Sequence, residues 1–265
     1  MKQYLVIGNP IDHSLSPILH NYWIKKNNIK AEYNKKQVNK EDLKEIIAKV
    51  KDKTIQGINV TVPFKKTVIP FMDFLSPEAE STQSVNTIYL RNDKIIGHNT
   101  DIAGFELSLK KIKFDVNNKK VLILGAGGVV PSIIFALQRM KASSITLTNR
   151  TRKKAEDLKR YFKNLIIIDW GHISDFDIII NATSIGLDKN DKINLDFSNI
   201  KNGKLFYDVI YNPEETDFLK KGKISGNFTE NGKMMFIYQA HQAFTLWHQL
   251  MPEINDETIR IIKNG

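Results

Sequence analysis

The sequence of 265 residues contains no cysteine. This absence excludes a disulfide-stabilised secreted domain, thiolate zinc sites and a cysteine nucleophile. Hydrophobic residues make up 42% of the chain, which is enough to fill a core, so intrinsic disorder is not expected. A chain of this length can form one large domain or two smaller ones.

Long uncharged apolar stretches are scarce. Residues 121–138 lack charge and reach the length of a membrane span, but glycines and a proline divide them into a strand, a turn and a helix. The apolar run that follows Met1-Lys2-Gln3 is too short for a secretory signal. We therefore expect a cytoplasmic protein without a membrane partner.

Acidic residues are the scarcer charged class, with 29 Asp+Glu against 39 Lys+Arg and a formal net charge of +10. The excess is densest in residues 149–163, which hold seven basic and two acidic side chains. A basic chain can bind nucleic acid. No recognisable nucleic-acid-binding module and no basic stripe interleaved with aromatics is present, so we expect no nucleic-acid partner.

Two regions differ in their pattern of strands and helices. In the first hundred residues, strands are predicted at 4–7 and 55–62, a helix at 41–50 and a hairpin around Asn92-Asp93. From residue 121, apolar strands alternate with helices, which is typical of βαβ units and a parallel sheet. Strands are predicted at 121–124, 145–148, 165–168, 177–181 and 205–209, and helices at 131–140, 155–162 and 234–250. The sequence predicts a two-domain α/β protein with a boundary near residue 102.

A glycine-rich turn lies between the predicted strand 121–124 and the predicted helix 131–140. It consists of Gly125, Ala126, Gly127 and Gly128. In dinucleotide-binding folds, such glycines make the tight turn and let the backbone approach a pyrophosphate at a helix N-terminus. Val130 stands where a small residue usually allows close packing, so an ordinary βα turn remains the alternative.

The end of the next strand indicates which dinucleotide would bind. NAD-binding units place an acidic residue there, but this chain continues with Asn149, Arg150, Thr151 and Arg152. An arginine can bind the 2′-phosphate that distinguishes NADP and can stack on adenine. We therefore predict NADP, with a solvated helix start as the alternative.

Polar clusters in the first region suggest a second site. They consist of Ser14 and Ser16, of Asn59, Thr61 and Lys65, and of Asn86 and Asp101. Alone, the serines and the aspartate fit helix capping, and a lysine is usually a surface charge. Together they follow several strands, where open α/β sheets bind ligands, and a Lys–Asp pair can transfer a proton to an alkoxide. Without cysteines or clustered histidines, a metal site is not expected.

At these motifs the chain resembles the shikimate dehydrogenase family over roughly residues 4 to 250. The resemblance is carried by Gly8-Asn9-Pro10, His13-Ser14-Leu15-Ser16-Pro17, Asn59 to Lys65, Val85-Asn86-Thr87, Asn99-Thr100-Asp101, Gly125 to Gly128, Asn149-Arg150-Thr151, Asn181 to Ser184, Gln239-Ala240, Ala243-Phe244 and Leu246-Trp247. It implies reversible NADPH-dependent reduction of 3-dehydroshikimate to shikimate. It also implies a substrate domain at 1–102, a Rossmann-like NADP-binding domain at 103–232, and C-terminal helices at 233–265 that return to the first domain.

The resemblance assigns roles to individual residues. Lys65 and Asp101 would form the catalytic pair. Substrate would be bound by Ser14, Ser16, Asn59, Thr61, Asn86, Tyr211 and Gln239, with the two serines at its carboxylate. The cofactor would be bound by Gly125, Ala126, Gly127, Gly128, Asn149, Arg150, Thr151, Arg152 and Thr183.

The chain departs from the family pattern at Val130, at Ile102 after the aspartate, and at Met234, where a glycine is usual near the nicotinamide. The residues leave open a quinate/shikimate dehydrogenase of broader specificity, a relative that uses NAD, and a non-catalytic NADP-binding relative. A monomer and a homodimer are both compatible with the sequence.

Overall fold

The computed structural model describes residues 1–188 and 190–262. The chain divides into two compact units. Unit 1 contains Met1–Gly104 and the segment from Ile237 onward, and unit 2 is Phe105–Phe236. The last three residues of the predicted segment 233–265 lie outside the described residues.

Unit 1 is built around one mixed sheet of six strands. The strands are β1 (Lys2–Gly8), β2 (Ala31–Gln37), β3 (Gly57–Val60), β4 (Phe74–Leu75), β5 (Thr87–Arg91) and β6 (Lys94–His98). Their order is β2-β1-β3-β5-β6-β4. β1 pairs in parallel with β2 and β3, whereas β5 pairs antiparallel with β3 and β6. The β5–β6 hairpin turns through Asn92 and Asp93, whose positive φ angles of 50° and 56° are those that a two-residue hairpin turn needs.

Unit 1 also contains several helices. They are α1 (Ser16–Lys26), α2 (Leu43–Lys51), α3 (Pro77–Thr82) and α9 (Asp256–Ile261), with the 3₁₀ turn Ile69–Phe71; α4 (Asp101–Lys111) and α8 (Lys233–His248) include the points at which the units divide. On α2, the buried residues Leu43, Ile46, Ile47 and Val50 have the spacing of one helix face. Near the end of α8, the Trp247 indole N–H donates to the Ile88 carbonyl oxygen at 3.2 Å. This bond ties the C-terminal half of α8 to β5.

Unit 2 is a doubly wound parallel sheet. Its strands are β7 (Lys120–Leu124), β8 (Ser144–Thr148), β9 (Ile166–Ile168), β10 (Ile178–Asn181), β11 (Leu205–Asp208) and β12 (Phe228–Glu230), and its own helices are α5 (Val130–Arg139), α6 (Arg152–Lys159) and α7 (Asp217–Ile224). The strand order is β12-β11-β10-β7-β8-β9, and every neighbouring pair is parallel. All of β10 and β11 is buried, as expected for strands covered on both faces.

The two α/β units confirm the predicted fold class. The predicted strand 55–62 is shorter, because β3 ends at Val60, and the predicted helix 155–162 begins and ends three residues earlier. β2 was not predicted, because it lies at the edge of the sheet and Tyr33 is its one buried residue. Across the described residues, no helix combines the length and apolar character needed to cross a membrane.

Candidate active site

A lysine and an aspartate form a close ion pair in unit 1. Lys65 Nζ lies 2.6 Å from Asp101 Oδ2, and the side chains are 13% and 7% exposed. Lys65 follows the end of β3, and Asp101 is the first residue of α4. The helix-capping alternative for Asp101 does not describe this arrangement, since its carboxylate bonds to Lys65 and to the amide of Asn86. The pair therefore presents a positioned ammonium group, which is a proton donor.

Asn86 holds the second carboxylate oxygen of that pair. Its Nδ2 donates to Asp101 Oδ1 at 2.9 Å and lies 3.5 Å from Gln239 Oε1. Its Oδ1 accepts from the Thr100 backbone N–H at 2.8 Å. A backbone N–H can only donate, so this bond fixes which end of the Asn86 amide faces the carboxylate. The network therefore orients Asp101 and brings Gln239, from α8, beside it.

Asn59 lies deeper in the same network. It is 6% exposed, and its Nδ2 donates to the Asn86 carbonyl and to Thr87 Oγ1, each at 3.1 Å. Its Oδ1 accepts from the hydroxyl of Tyr33 at 2.7 Å. Asn59 is thus joined to the Lys65–Asp101 pair through two buried side chains.

The remaining predicted substrate residues of unit 1 lie after β1 and β3. Ser16 is buried and begins α1, and its backbone N–H lies 3.4 Å from Ser14 Oγ. The N-cap of α1 is Leu15, without a side-chain capping bond, so neither serine is the N-cap residue. Thr61 follows β3, and its backbone N–H donates to the Ile7 carbonyl at 3.0 Å.

Tyr211 is the one predicted substrate residue that belongs to unit 2. It follows β11, and its ring stacks on Phe236 with centroids 4.7 Å apart and planes 21° apart. The stack on Phe236 contributes to the orientation of the Tyr211 ring.

The glycine-rich turn of unit 2 connects β7 to α5. Gly125 has φ +104°, and a Cβ at this position would lie 2.8 Å from the Ala182 carbonyl oxygen. Gly127 is exposed, and a Cβ added at Gly127 would have the Ala182 carbonyl oxygen as its nearest neighbour, at 3.7 Å. The first turn of α5 has no side-chain capping bond. A tight turn, an accessible backbone and an uncapped helix start are thus combined, which suits an anion.

Arg150 and Arg152, in the segment after β8, have different surroundings. The guanidinium of Arg152 pairs with Glu156 at 3.0 Å and with Asp169. Arg150 is exposed and has no ion pair within residues 1–188 and 190–262. Asn149 donates from Nδ2 to the Thr151 carbonyl at 2.8 Å, which fixes the local turn. Arg150 is therefore the arginine whose charge is available to a ligand.

Thr183 is held by a buried polar network that the sequence did not reveal. Its hydroxyl donates to Asn181 Oδ1 at 2.7 Å, and Asn181 Nδ2 donates to both carboxylate oxygens of Asp208 at 3.1 Å. Asp208 also accepts from the Thr216 hydroxyl at 2.6 Å. Burial raises the pKa of Asp208 to about 6, while these hydrogen bonds act against that rise. The polar residues at the ends of the buried strands were the sequence signal that could have indicated this network.

Three of the residues that depart from the family pattern are buried. Val130, Ile102 and Met234 are 0%, 1% and 5% exposed. Their side chains therefore contribute to packing. Within the described ranges, no group of three or more His, Cys, Asp or Glu side chains is arranged to hold a metal ion.

Two family models match this chain. The shikimate dehydrogenase substrate binding domain matches residues 6–88, and shikimate/quinate 5-dehydrogenase matches residues 106–205. The shikimate dehydrogenase (NADP(+)) of Pelagibacter ubique (strain HTCC1062) is 58% identical over 261 residues, which cover 98% of each chain.

Solved structures of shikimate dehydrogenases match the fold of this chain along nearly its whole length. Shikimate dehydrogenase from Aquifex aeolicus has a TM-score of 0.89 and 34% identity, covering 99% of this chain and 98% of that one. Shikimate 5-dehydrogenase from Thermus thermophilus, in complex with NADP(H) and shikimate, has a TM-score of 0.90 and 28% identity, covering 100% and 99%. The identity and coverage of these matches, together with both family models, establish that this chain belongs to the shikimate dehydrogenase family.

Proposed function

We propose that this chain catalyses the reversible NADPH-dependent reduction of 3-dehydroshikimate to shikimate. The observation that carries the proposal is the 2.6 Å ion pair between Lys65 and Asp101, joined by hydrogen bonds to Asn86 and Gln239. A family member with this pair in place has the proton donor that ketone reduction requires.

Lys65 supplies the proton in the proposed reaction. NADPH, when bound, supplies the hydride for the carbonyl carbon. As the carbonyl oxygen gains negative charge, Lys65 Nζ stabilises it and then donates a proton, which completes the alcohol. Asp101 holds the ammonium group in position before transfer, and Asn86 keeps the carboxylate directed at Lys65. In the direction of shikimate oxidation, Lys65 takes the hydroxyl proton back.

Unit 1 supplies most of the proposed substrate contacts. Ser14 and Ser16 bind the carboxylate, and the ring hydroxyls contact Asn59, Thr61, Asn86, Asp101 and Gln239. In this proposal, residues 1–102 and the helices from 233 bind substrate, whereas residues 103–232 bind NADP and contribute Tyr211. The buried, hydrogen-bonded state of Asn59 and Asn86 supports these roles, because their amide orientations are set before substrate binds.

The residues of unit 2 fit NADP. The exposed backbone at Gly127 and the uncapped start of α5 suit the pyrophosphate, and Gly125 allows the tight turn that positions them. Arg150 suits the 2′-phosphate, because it is exposed and makes no ion pair among the described residues. Asn149, Thr151, Arg152 and Thr183 complete the proposed cofactor site, with Arg152 acting mainly on the local structure through Glu156 and Asp169.

The test is an assay of shikimate oxidation with NADP and with NAD, followed by the absorbance of the reduced nicotinamide. We expect turnover with NADP and a kcat/KM roughly 100-fold lower with NAD, because NAD lacks the phosphate that Arg150 binds. Comparable kcat/KM for quinate would indicate the broader specificity. Cofactor binding without turnover of either acid would contradict the proposed activity.

A further inference from the structure

Tyr33 is a buried residue that contacts Asn59, one of the proposed substrate-binding residues. It is 1% exposed, and its hydroxyl lies 2.7 Å from Asn59 Oδ1. Its ring stacks face to face on His20, with centroids 4.2 Å apart and planes 1° apart. Stacking fixes the ring, and a fixed ring leaves the hydroxyl little freedom of position.

The direction of the hydrogen bond between Tyr33 and Asn59 follows from the backbone. A backbone carbonyl can only accept, so the 3.1 Å contact with the Asn86 carbonyl must come from Asn59 Nδ2. Asn59 Oδ1 then faces Tyr33, which must donate. Burial raises the pKa of Tyr33 well above its usual range, so the hydroxyl keeps its proton, although a side-chain hydrogen bond with Ser16 acts the other way.

This arrangement limits what Asn59 can offer a ligand. Both of its N–H groups are used, one by the Asn86 carbonyl and one by Thr87 Oγ1 at 3.1 Å. Oδ1 has two lone pairs, and Tyr33 occupies one of them. The second lone pair of Oδ1 is the remaining hydrogen-bonding capacity of the Asn59 side chain.

We infer that Tyr33 is a positioning residue of the substrate site: together with the Asn86 carbonyl it holds Asn59 Oδ1 in place as a hydrogen-bond acceptor, which selects a hydroxyl group on the substrate at that point. This inference rests on the proposed function. A substrate whose group at this position can only accept a hydrogen bond would leave Oδ1 without its donor, and a buried unpaired acceptor lowers affinity.

The first test compares Tyr33→Phe with Tyr4→Phe. Tyr4 is the register partner of Tyr33 on β1 and is equally buried, and its hydroxyl has no hydrogen-bond partner among the described residues. We expect Tyr33→Phe to raise the KM for shikimate about 10-fold, with kcat and the KM for NADP nearly unchanged. Tyr4→Phe should leave all three constants nearly unchanged. If the wild type is active and the two variants have equal effects, the inference is overturned and the proposed function is not.

The second test uses the wild-type protein and needs no variant to fold. In shikimate analogues, one hydroxyl that does not react is replaced by hydrogen or by fluorine, which cannot donate. At one ring position, both replacements should raise the KM about 10-fold. With these analogues, Tyr33→Phe should raise the KM by less than a further factor of about three. Fluorine analogues that match shikimate at every position would overturn the inference. An inactive wild type would overturn the proposed function and, with it, the inference.

Discussion

The two units present their candidate ligand-binding groups in different ways. In unit 1 these groups are buried side chains: Asn59, Asn86 and Asp101 are 6%, 3% and 5% exposed and bond to one another or to shared neighbours. In unit 2 they are the backbone of a glycine turn and the exposed side chain of Arg150. These side chains of unit 1 are fixed before a ligand binds, whereas unit 2 offers charge and backbone N–H groups at an open surface.

This difference has a physical origin in the two sheets. The mixed sheet of unit 1 brings the start of β5 and the end of β6 beside the end of β3, so Asn59, Thr87 and His98 pair in register and Asp101 follows within three residues. In the parallel sheet of unit 2, each strand is followed by a helix or a turn, so helix starts and turn backbone collect at the same edge. A single substitution should therefore have larger effects in unit 1.

The largest expected effect is in unit 1. Lys65→Ala removes the proton donor and should lower kcat about 10²- to 10⁴-fold. The affinity for NADP, measured by titration, should stay within about twofold, because Lys65 belongs to the other unit. Lys66→Ala, at the exposed neighbouring position, is the matched control and should keep kcat. A Lys65→Ala enzyme with near-normal turnover would rule out the proposed role.

The next effect separates Arg150 from Arg152, two arginines of unit 2. Arg150→Ala should raise the KM for NADP about 10- to 100-fold, the range of a lost charge-assisted hydrogen bond, and should change the KM for NAD little. Arg152→Ala should change the KM for NADP by less than about threefold, because Glu156 and Asp169 already hold that guanidinium. Steady-state kinetics with both cofactors measures this. A larger effect for Arg152 than for Arg150 would reverse the assignment.

Two glycines test whether the backbone itself carries cofactor affinity. Gly127→Ala meets ordinary space, so the free energy of unfolding should change by less than about 1 kcal/mol, while the Kd for NADP rises about tenfold. Gly125→Ala places a Cβ at φ +104° and against the Ala182 carbonyl, so it should destabilise unit 2 by about 1–3 kcal/mol. Denaturant unfolding and cofactor titration distinguish the two. Unchanged NADP affinity in Gly127→Ala would argue against a pyrophosphate at this turn.

Sequence patterns predicted the fold class and the strands that are apolar, such as β7 and β10, because burial on both faces leaves a continuous apolar run. They did not predict β2, whose residues are mostly exposed and which is held by backbone pairing to β1. For the same reason they gave no role to Tyr33. The Asp208 network also escaped prediction, because its members come from β10, β11 and the start of α7 and meet through folding alone.

The smallest expected effect is the change of stability with pH, and it again differs between the two units. In unit 1, burial lowers the pKa of His20 to about 3, with a further lowering from His248, and neither ring nitrogen has a hydrogen-bond partner in the described residues. The unfolded chain, with a histidine pKa near 6.5, therefore binds more protons. The stability from His20 is present above that value and is lost as the pH falls. In unit 2, Asp208 has a raised pKa of about 6, so its contribution is present below about 3.8 and is lost as the pH rises through 6.

Lowering the pH from 8 to 6 should therefore reduce the free energy of unfolding of unit 1 by about 1 kcal/mol through His20. Hydrogen exchange at amides of β1 and β10 reads the two units separately. In His20→Phe, which keeps an aromatic ring against Tyr33, the loss at β1 should shrink but persist in part, because burial also lowers the pKa of His248, to about 4. At β10 the variant should behave as wild type. An unchanged pH dependence at β1 in His20→Phe would mean that the buried imidazole does not carry the acid sensitivity of unit 1.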